Sequence, residues 1–317
     1  MIALMTSVLG TRAPIMQAAI GRVGGSRLAV AVSAAGGLGT LGASYAEPSD
    51  MRQQITEIRQ ETDRPFCVNL ILAFDQSERL QIALTAGAPW IGFSWGVDPE
   101  LIARTHAAGA RALVQVATPR AAREAELAGA DVLIVQGVEA GGHVQSTVPL
   151  LPLLAEIKTV ITTPIVAAGG LTTPGDCRSA LRAGADAIAM GTRFVACDES
   201  LAHGCYKRRL LEADASDTVL TNLFNRGWDA PHRVLRNETY DRWEAADRPP
   251  PGRRPDEDVP IATALFGAVP RYAVNPPVVG MVGDIEGMAM YAGQGVGAIH
   301  DIEPAAAIVK RFAAAIG

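Results

Sequence analysis

The segment Val135 to Ser146, VQGVEAGGHVQS, carries the best-placed ionisable side chain of the chain. An apolar run, ADVLIV, leads into it with the pattern of a buried strand, and His143 follows the paired glycines Gly141 and Gly142. Imidazole is the side chain that changes charge near neutral pH, and glycine lets the backbone come close to a ligand. His143 is therefore the candidate acid or base. The plain alternative is an exposed loop histidine with an ordinary pKa near ~6.5. His106, His203, His232 and His300 have no comparable sequence context.

Amides interrupt several apolar runs: Gln17 in PIMQA, Asn69 in PFCVNL, Gln115 in RALVQV and Gln136 after DVLIV. Carboxamides at strand ends would make a polar floor for a ring system bearing carbonyl and N–H groups. Asn69 by itself fits either that role or a tie to a neighbouring loop. Gly169 with Gly170, and Gly191 with Thr192, end two further runs. Main-chain N–H groups at glycines and a hydroxyl donor suit a phosphate. Gly37, Gly39 and Gly42 match G-x-G-x-x-G, but they follow a helix and enter a strand, the reverse of the dinucleotide order, and read as a turn.

Apolar runs of strand length are expected at 14–18, 39–43, 65–71, 90–95, 111–116, 131–136, 164–168 and 187–191. Helical patterns fall at 27–35, 49–62, 76–86, 99–108, 119–128, 149–160 and 174–183, the last opened by Thr172 or Thr173 before Pro174. A partial repeat runs through ALTAGAPWIGF, THAAGARALVQ, AELAGADVLIV and ALRAGADAIAM, in which Gly87, Gly109, Gly129 and Gly184 would end each helix. Strands alternating with helices predict an α/β fold, a (β/α)8 TIM barrel, with an open doubly wound sheet as the alternative. Barrels of this kind bind phosphate at loops seven and eight, where the glycine pairs fall. From 200 to 284 the rhythm breaks, and a mainly helical insertion after the eighth strand, a lid over the barrel mouth, is expected there. The barrel would then comprise 1–199 and 285–317.

Of the 317 residues, 49% are hydrophobic and 19% charged, with a formal net charge of -5, which fits a folded domain with no nucleic-acid surface. No apolar run is long enough to span a bilayer, and the N-terminus lacks a signal-peptide pattern, so the cytoplasm is the default address. Cys67, Cys177, Cys197 and Cys205 form no C-x-x-C pair, and neither a metal site nor a disulfide framework is expected.

The segments PIMQ, AAGGLGTLGA, PFCVNL, VQGVEAGGH, PIVAAGG, AMGTRF and AGQGVG, in that order, resemble the nitronate monooxygenases, formerly the 2-nitropropane dioxygenases. The resemblance runs over nearly the whole barrel and is weakest from about 200 to 275. It implies an FMN enzyme on a (β/α)8 barrel that oxidises alkyl nitronates, with O2, to carbonyl compounds and nitrite. It also implies that Met16, Gln17, Asn69, Gln115, Gln136, Gly141 and Gly142 surround the flavin, that Gly169, Gly170, Gly191 and Thr192 hold its phosphate, and that His143 faces the substrate. Two departures bear on substrate identity. Many relatives have a Gly two residues after the loop histidine, where this chain reads Val144, Gln145, Ser146, and some carry Lys at Gln115. An NAD(P)H-dependent reductase of the same architecture, a non-catalytic flavin-binding protein and a flavin-free barrel remain alternatives, and a homodimer is the open expectation for assembly.

Overall fold

The computed structural model describes residues 9–316. The strands, in chain order, are β1 Ile15–Gln17, β2 Gly39–Gly42, β3 Phe66–Ile71, β4 Trp90–Ser94, β5 Arg111–Val116, β6 Val132–Gln136, β7 Gly142–His143, β8 Ile165–Ala168 and β9 Ala187–Met190. All except β7 pair in parallel in one sheet, in the order β1-β9-β8-β6-β5-β4-β3-β2. The two ends of that order meet: Leu38 N donates to Ile15 O at 2.8 Å and Gln17 N to Leu38 O at 3.0 Å. The sheet is thus the eight-stranded (β/α)8 barrel expected from the alternation of strands and helices.

Helices connect the strands and cover the barrel, and their ends explain why the repeat was visible. Gly87, Gly109, Gly129 and Gly184 all have positive φ. After each, the next residue's N–H reaches back into the last helical turn, as Ala88 N to Ala83 O at 3.0 Å and Ala185 N to Ala180 O at 3.1 Å. This closing pattern needs a left-handed residue, which glycine adopts without a Cβ penalty. The helix Pro174–Arg182 starts in a capping box: Thr173 accepts from Asp176 N, and the Asp176 carboxylate accepts from Thr173 N. Buried faces of these helices and of the strands form one apolar layer that includes Leu28, Ile55, Phe93, Leu133, Leu154 and Phe312. A separate cluster, with Met16, Trp90, Leu113 and Val166, fills the barrel interior.

After β9 come the helices Gly204–Glu212 and Glu238–Ala245, as the sequence suggested. The insertion, expected to be mainly helical, carries five short strands beside these helices: β10 Thr218–Thr221, β11 His232–Leu235, β12 Pro260–Ala264, β13 Gly267–Pro270 and β14 Val282–Gly283. They form two three-stranded sheets, β10-β11-β7 and β13-β12-β14. Strands this short, bounded by Pro and polar residues, give too few periods for alternation to be read. Beyond the expected boundary at 285, Ile285, Met288, Met290, Ala292, Val296 and Ile299 pack in the same apolar cluster as Tyr206, Leu210 and Leu235. The barrel layer resumes with the helix Ala305–Ile316, where Ala305, Ile308 and Phe312 rejoin it. Among the described residues no helix is long and apolar enough to cross a membrane.

Candidate active site

A cavity of about 460 Å³ opens at the C-terminal ends of the barrel strands. Eleven of the twelve residues singled out in the sequence line it: Met16, Asn69, Gln115, Gln136, Gly141, Gly142, His143, Gly169, Gly170, Gly191 and Thr192. Gln17 does not. It is fully buried in the wall, where its Oε1 accepts from Thr40 N at 2.8 Å and its Nε2 donates to Ala18 O. Side chains on successive strand residues point to opposite faces, so beside the inward Met16 the Gln17 amide secures the β1–β2 closure.

The remaining amides form the expected floor, and they are partly committed to one another. Gln115 Nε2 donates to Gln136 Oε1 at 3.2 Å and to Gln145 Oε1 at 3.4 Å. Gln136 in turn holds both ends of the histidine turn, donating to His143 O at 3.2 Å and accepting from Gln145 N at 3.3 Å. Asn69 reconciles its two readings, lining the cavity while its Nδ2 donates to Ser94 Oγ at 3.3 Å.

The glycines at loops seven and eight border the cavity. Gly169 and Gly170 have φ of 115° and 67°, and a Cβ on Gly170 would lie 2.9 Å from Glu139 Cβ. A Cβ on Gly191 would meet nothing nearer than Ile20 Cγ2 at 3.7 Å, so the space above that backbone belongs to the cavity. Thr192 Oγ1 accepts from Gly293 N at 3.0 Å, which leaves its own proton for an acceptor inside. The late AGQGVG segment closes over this region backbone to backbone: a Cβ on Gly141 would be 2.4 Å from Gly293 N, and one on Gly295 would be 2.4 Å from Gly170 O.

His143 is where expectation and structure differ most. Neither an exposed imidazole nor an ordinary pKa survives: burial, with a smaller contribution from His232 nearby, lowers its pKa to about 3. Its Nε2 is buried and has no hydrogen-bond partner. The physical cause is the insertion, because β7 pairs antiparallel with β11, setting His143 opposite His232 and Gly142 opposite Arg233. Trp228 stacks on the imidazole at 4.0 Å and 27°, with Tyr291 at 5.5 Å, His232 at 5.4 Å and Trp95 at 6.3 Å. Desolvation of this kind disfavours the charged ring.

These neighbours were missed in the sequence because they come from remote segments. His232 is wholly buried; its Nδ1 bonds to Ala230 O at 2.8 Å and its Nε2 accepts from Phe224 N at 3.2 Å, which fixes a neutral ring with the proton on Nδ1. Its pKa is likewise lowered by burial. Trp95, expected as the last residue of a strand at 90–95, lies just past the observed strand end at Ser94 and takes φ 63°, a left-handed conformation that is costly for a bulky residue. Cys67 lies in the barrel interior, and burial raises its thiol pKa, as it does for Cys177 and Cys197, both to about 12.

Comparison with known proteins places this geometry. The family model described as nitronate monooxygenase matches residues 3–79 and 73–314. The chain belongs to the nitronate monooxygenase family. It is an oxidoreductase of that family, and its relatives show how wide the family's neighbourhood is. A Mycobacterium tuberculosis protein named (3aS,4S,5R,7aS)-5-hydroxy-7a-methyl-1-oxo-octahydro-1H-indene-4-carboxyl-CoA dehydrogenase is 35% identical, over 77% of this chain and 69% of its own. The structure of FabK from Thermotoga maritima superposes with a TM-score of 0.86 at 32% identity, covering 99% of this chain and 95% of that one. The nitroalkane oxidase from Streptomyces ansochromogenes gives 0.79 at 33% identity, covering 99% and 97%.

Proposed function

We propose that the protein is an FMN-dependent nitronate monooxygenase that converts alkyl nitronates, with O2, to carbonyl compounds and nitrite. The observation that carries this reading is the placement of His143 in the same cavity as the glycines of loops seven and eight and the amide floor between them. A flavin mononucleotide fits that donor set. Gly169, Gly170, Gly191 and Thr192 would hold the phosphate, and Asn69, Gln115 and Gln136, with the backbone of Gly141 and Gly142, would face the ring. When bound, FMN would supply the electron exchange between nitronate and O2.

The chain's own residues would bind, orient and deprotonate. The low pKa keeps the His143 imidazole neutral throughout the neutral range, so it is always able to accept a proton. A proton taken from a nitroalkane leaves imidazolium beside a nitronate, and that opposite charge in a dry cavity offsets the desolvation that otherwise opposes protonation. Gln136 holds the His143 carbonyl and Gln145 N–H, which fixes the ring's position over the floor. The aromatic rings packed around it take much of the imidazole out of water.

The test is nitrite release and O2 uptake by the purified, FMN-loaded protein, given an alkyl nitronate or the matching neutral nitroalkane. Nitrite formation with flavin turnover is expected for both. In His143→Asn the neutral substrate should lose activity ~10² to 10⁴-fold, the usual worth of general-base help, with the nitronate affected far less. Equal losses on the two substrates would remove the base assignment. A second reading rests on the superposition with FabK and on the dehydrogenase name of the 35% identical relative. On that reading the cavity serves an NAD(P)H-dependent reductase, and rapid bleaching of the flavin by NADH with no nitrite from any nitronate would select it.

A further inference from the structure

We propose that Trp228, supplied by the insertion, determines specificity by walling the space beside the reacting carbon, so that the site favours nitronates with an unbranched chain over branched or ring-bearing ones. The inference rests on the reading of His143 as the residue that meets the substrate.

The indole lies against one face of the imidazole at 4.0 Å and 27°. A reacting carbon that meets His143 must come to about 3–3.5 Å from a ring nitrogen. His143 and Trp228 both line the cavity, so a group bonded to that carbon must lie flat against the indole or collide with it. A planar nitronate with one slim substituent meets this condition. A cyclohexyl ring, thick on both faces, does not. Trp95 also lines the cavity, its ring edge-on to Trp228 at 4.8 Å and to His143 at 6.3 Å.

Trp228 acts as a wall rather than a flap because its surroundings hold it on both sides. Before it, Arg226 N donates to Tyr272 O at 3.1 Å, Val274 N donates to Arg226 O at 3.0 Å, and Arg226 Nη1 pairs with Asp258 at 2.8 Å. Gly227 has φ 111°, and a Cβ there would be 2.9 Å from Val274 Cγ1, so the turn that aims the indole depends on glycine. After it, Val144 N donates to Pro231 O at 2.8 Å, tying the loop to the residue that follows His143. Phe74 supports the indole from the side at 5.7 Å and is itself packed on Tyr45 at 5.4 Å. Two of the chain's four tryptophans meet at this one point, and Trp95 keeps a left-handed backbone to do so. Strain held in place by packing at a cavity mouth is a mark of a functional constraint.

The experiment uses the FMN-loaded protein and two readouts. The kcat/KM ratio of 1-nitropropane anion to nitrocyclohexane anion is measured in the wild type and in Trp228→Ala. In parallel, butanoate and cyclohexanecarboxylate, whose planar carboxylates cannot be oxidised at the same centre, are titrated against flavin absorbance. The wild type is expected to favour the straight chain at least tenfold in both readouts, and Trp228→Ala to bring both ratios close to one. A variant that keeps its flavin and its tenfold ratio overturns the proposal. Trp228→Phe, with a smaller ring, should fall between, and it serves if the alanine variant does not fold. Failure of the wild type to turn over any nitronate, with a Trp228-dependent carboxylate ratio intact, would refute the proposed reaction and leave the wall standing. A wild type that releases nitrite equally well from both anions would do the reverse.

Discussion

Acidification should test the burial of His143 directly. In the folded protein its pKa is about 3, whereas the unfolded chain has the ordinary value of 6.5. The unfolded state therefore takes up the proton first. The stability that depends on the neutral ring is complete above pH 6.5 and is lost as pH falls from there toward 3. From those two values the loss is about 2 kcal/mol at pH 5 and about 3 kcal/mol at pH 4. His143→Asn lacks this loss. Its stability relative to the wild type should therefore improve by about 2 kcal/mol between pH 7.5 and pH 5. His232, also lowered by burial, is present in both proteins and cancels to first order. Urea unfolding at fixed pH steps gives the difference, and the imidazole Cε1–H resonance that disappears in the variant gives the titration itself. That resonance should stay in its neutral position down to pH 5. A midpoint near 6.5, together with a stability difference that does not change with pH, would show that the ring is solvated and that the Trp228 stack does not shield it.

Other expectations follow from single contacts. Gly170→Ala places a Cβ 2.9 Å from Glu139 at φ 67°, and should weaken FMN binding roughly 5- to 30-fold through ~1–2 kcal/mol of left-handed strain, read by flavin titration. Gln136→Leu removes the ties to His143 O and Gln145 N, and should cost ~1–3 kcal/mol in urea unfolding together with a fall in kcat on neutral nitroalkanes. Thr173→Ala should cost ~0.5–2 kcal/mol through the lost cap of the helix Pro174–Arg182 while leaving FMN affinity unchanged; a loss of flavin would mean that the cap also sets the phosphate loop. In the wild type, kcat/KM for a neutral nitroalkane should show no acidic limb from His143 between pH 5 and 8, and an inflection near 6.5 that vanishes in His143→Asn would contradict the low pKa.

The sequence by itself determined the barrel, and did so through local chemistry. Glycines after Ala at each helix end, Pro174 behind Thr173 and runs of strand length are signals carried within a dozen residues, because helix caps and buried strands depend on near neighbours. The same locality picked out twelve residues of which eleven line the cavity, while Gln17, one step along the strand from the inward Met16, lies in the wall. What only the tertiary structure decided is the state of His143. Its burial, its low pKa and its stacking come from Trp228, His232 and Tyr291, which the chain supplies from beyond the eighth strand and joins to the histidine turn by the pairing of β11 with β7. A pKa is set by the solvent and charges that surround a group in space, and no spacing along the chain encodes which distant rings will remove its water.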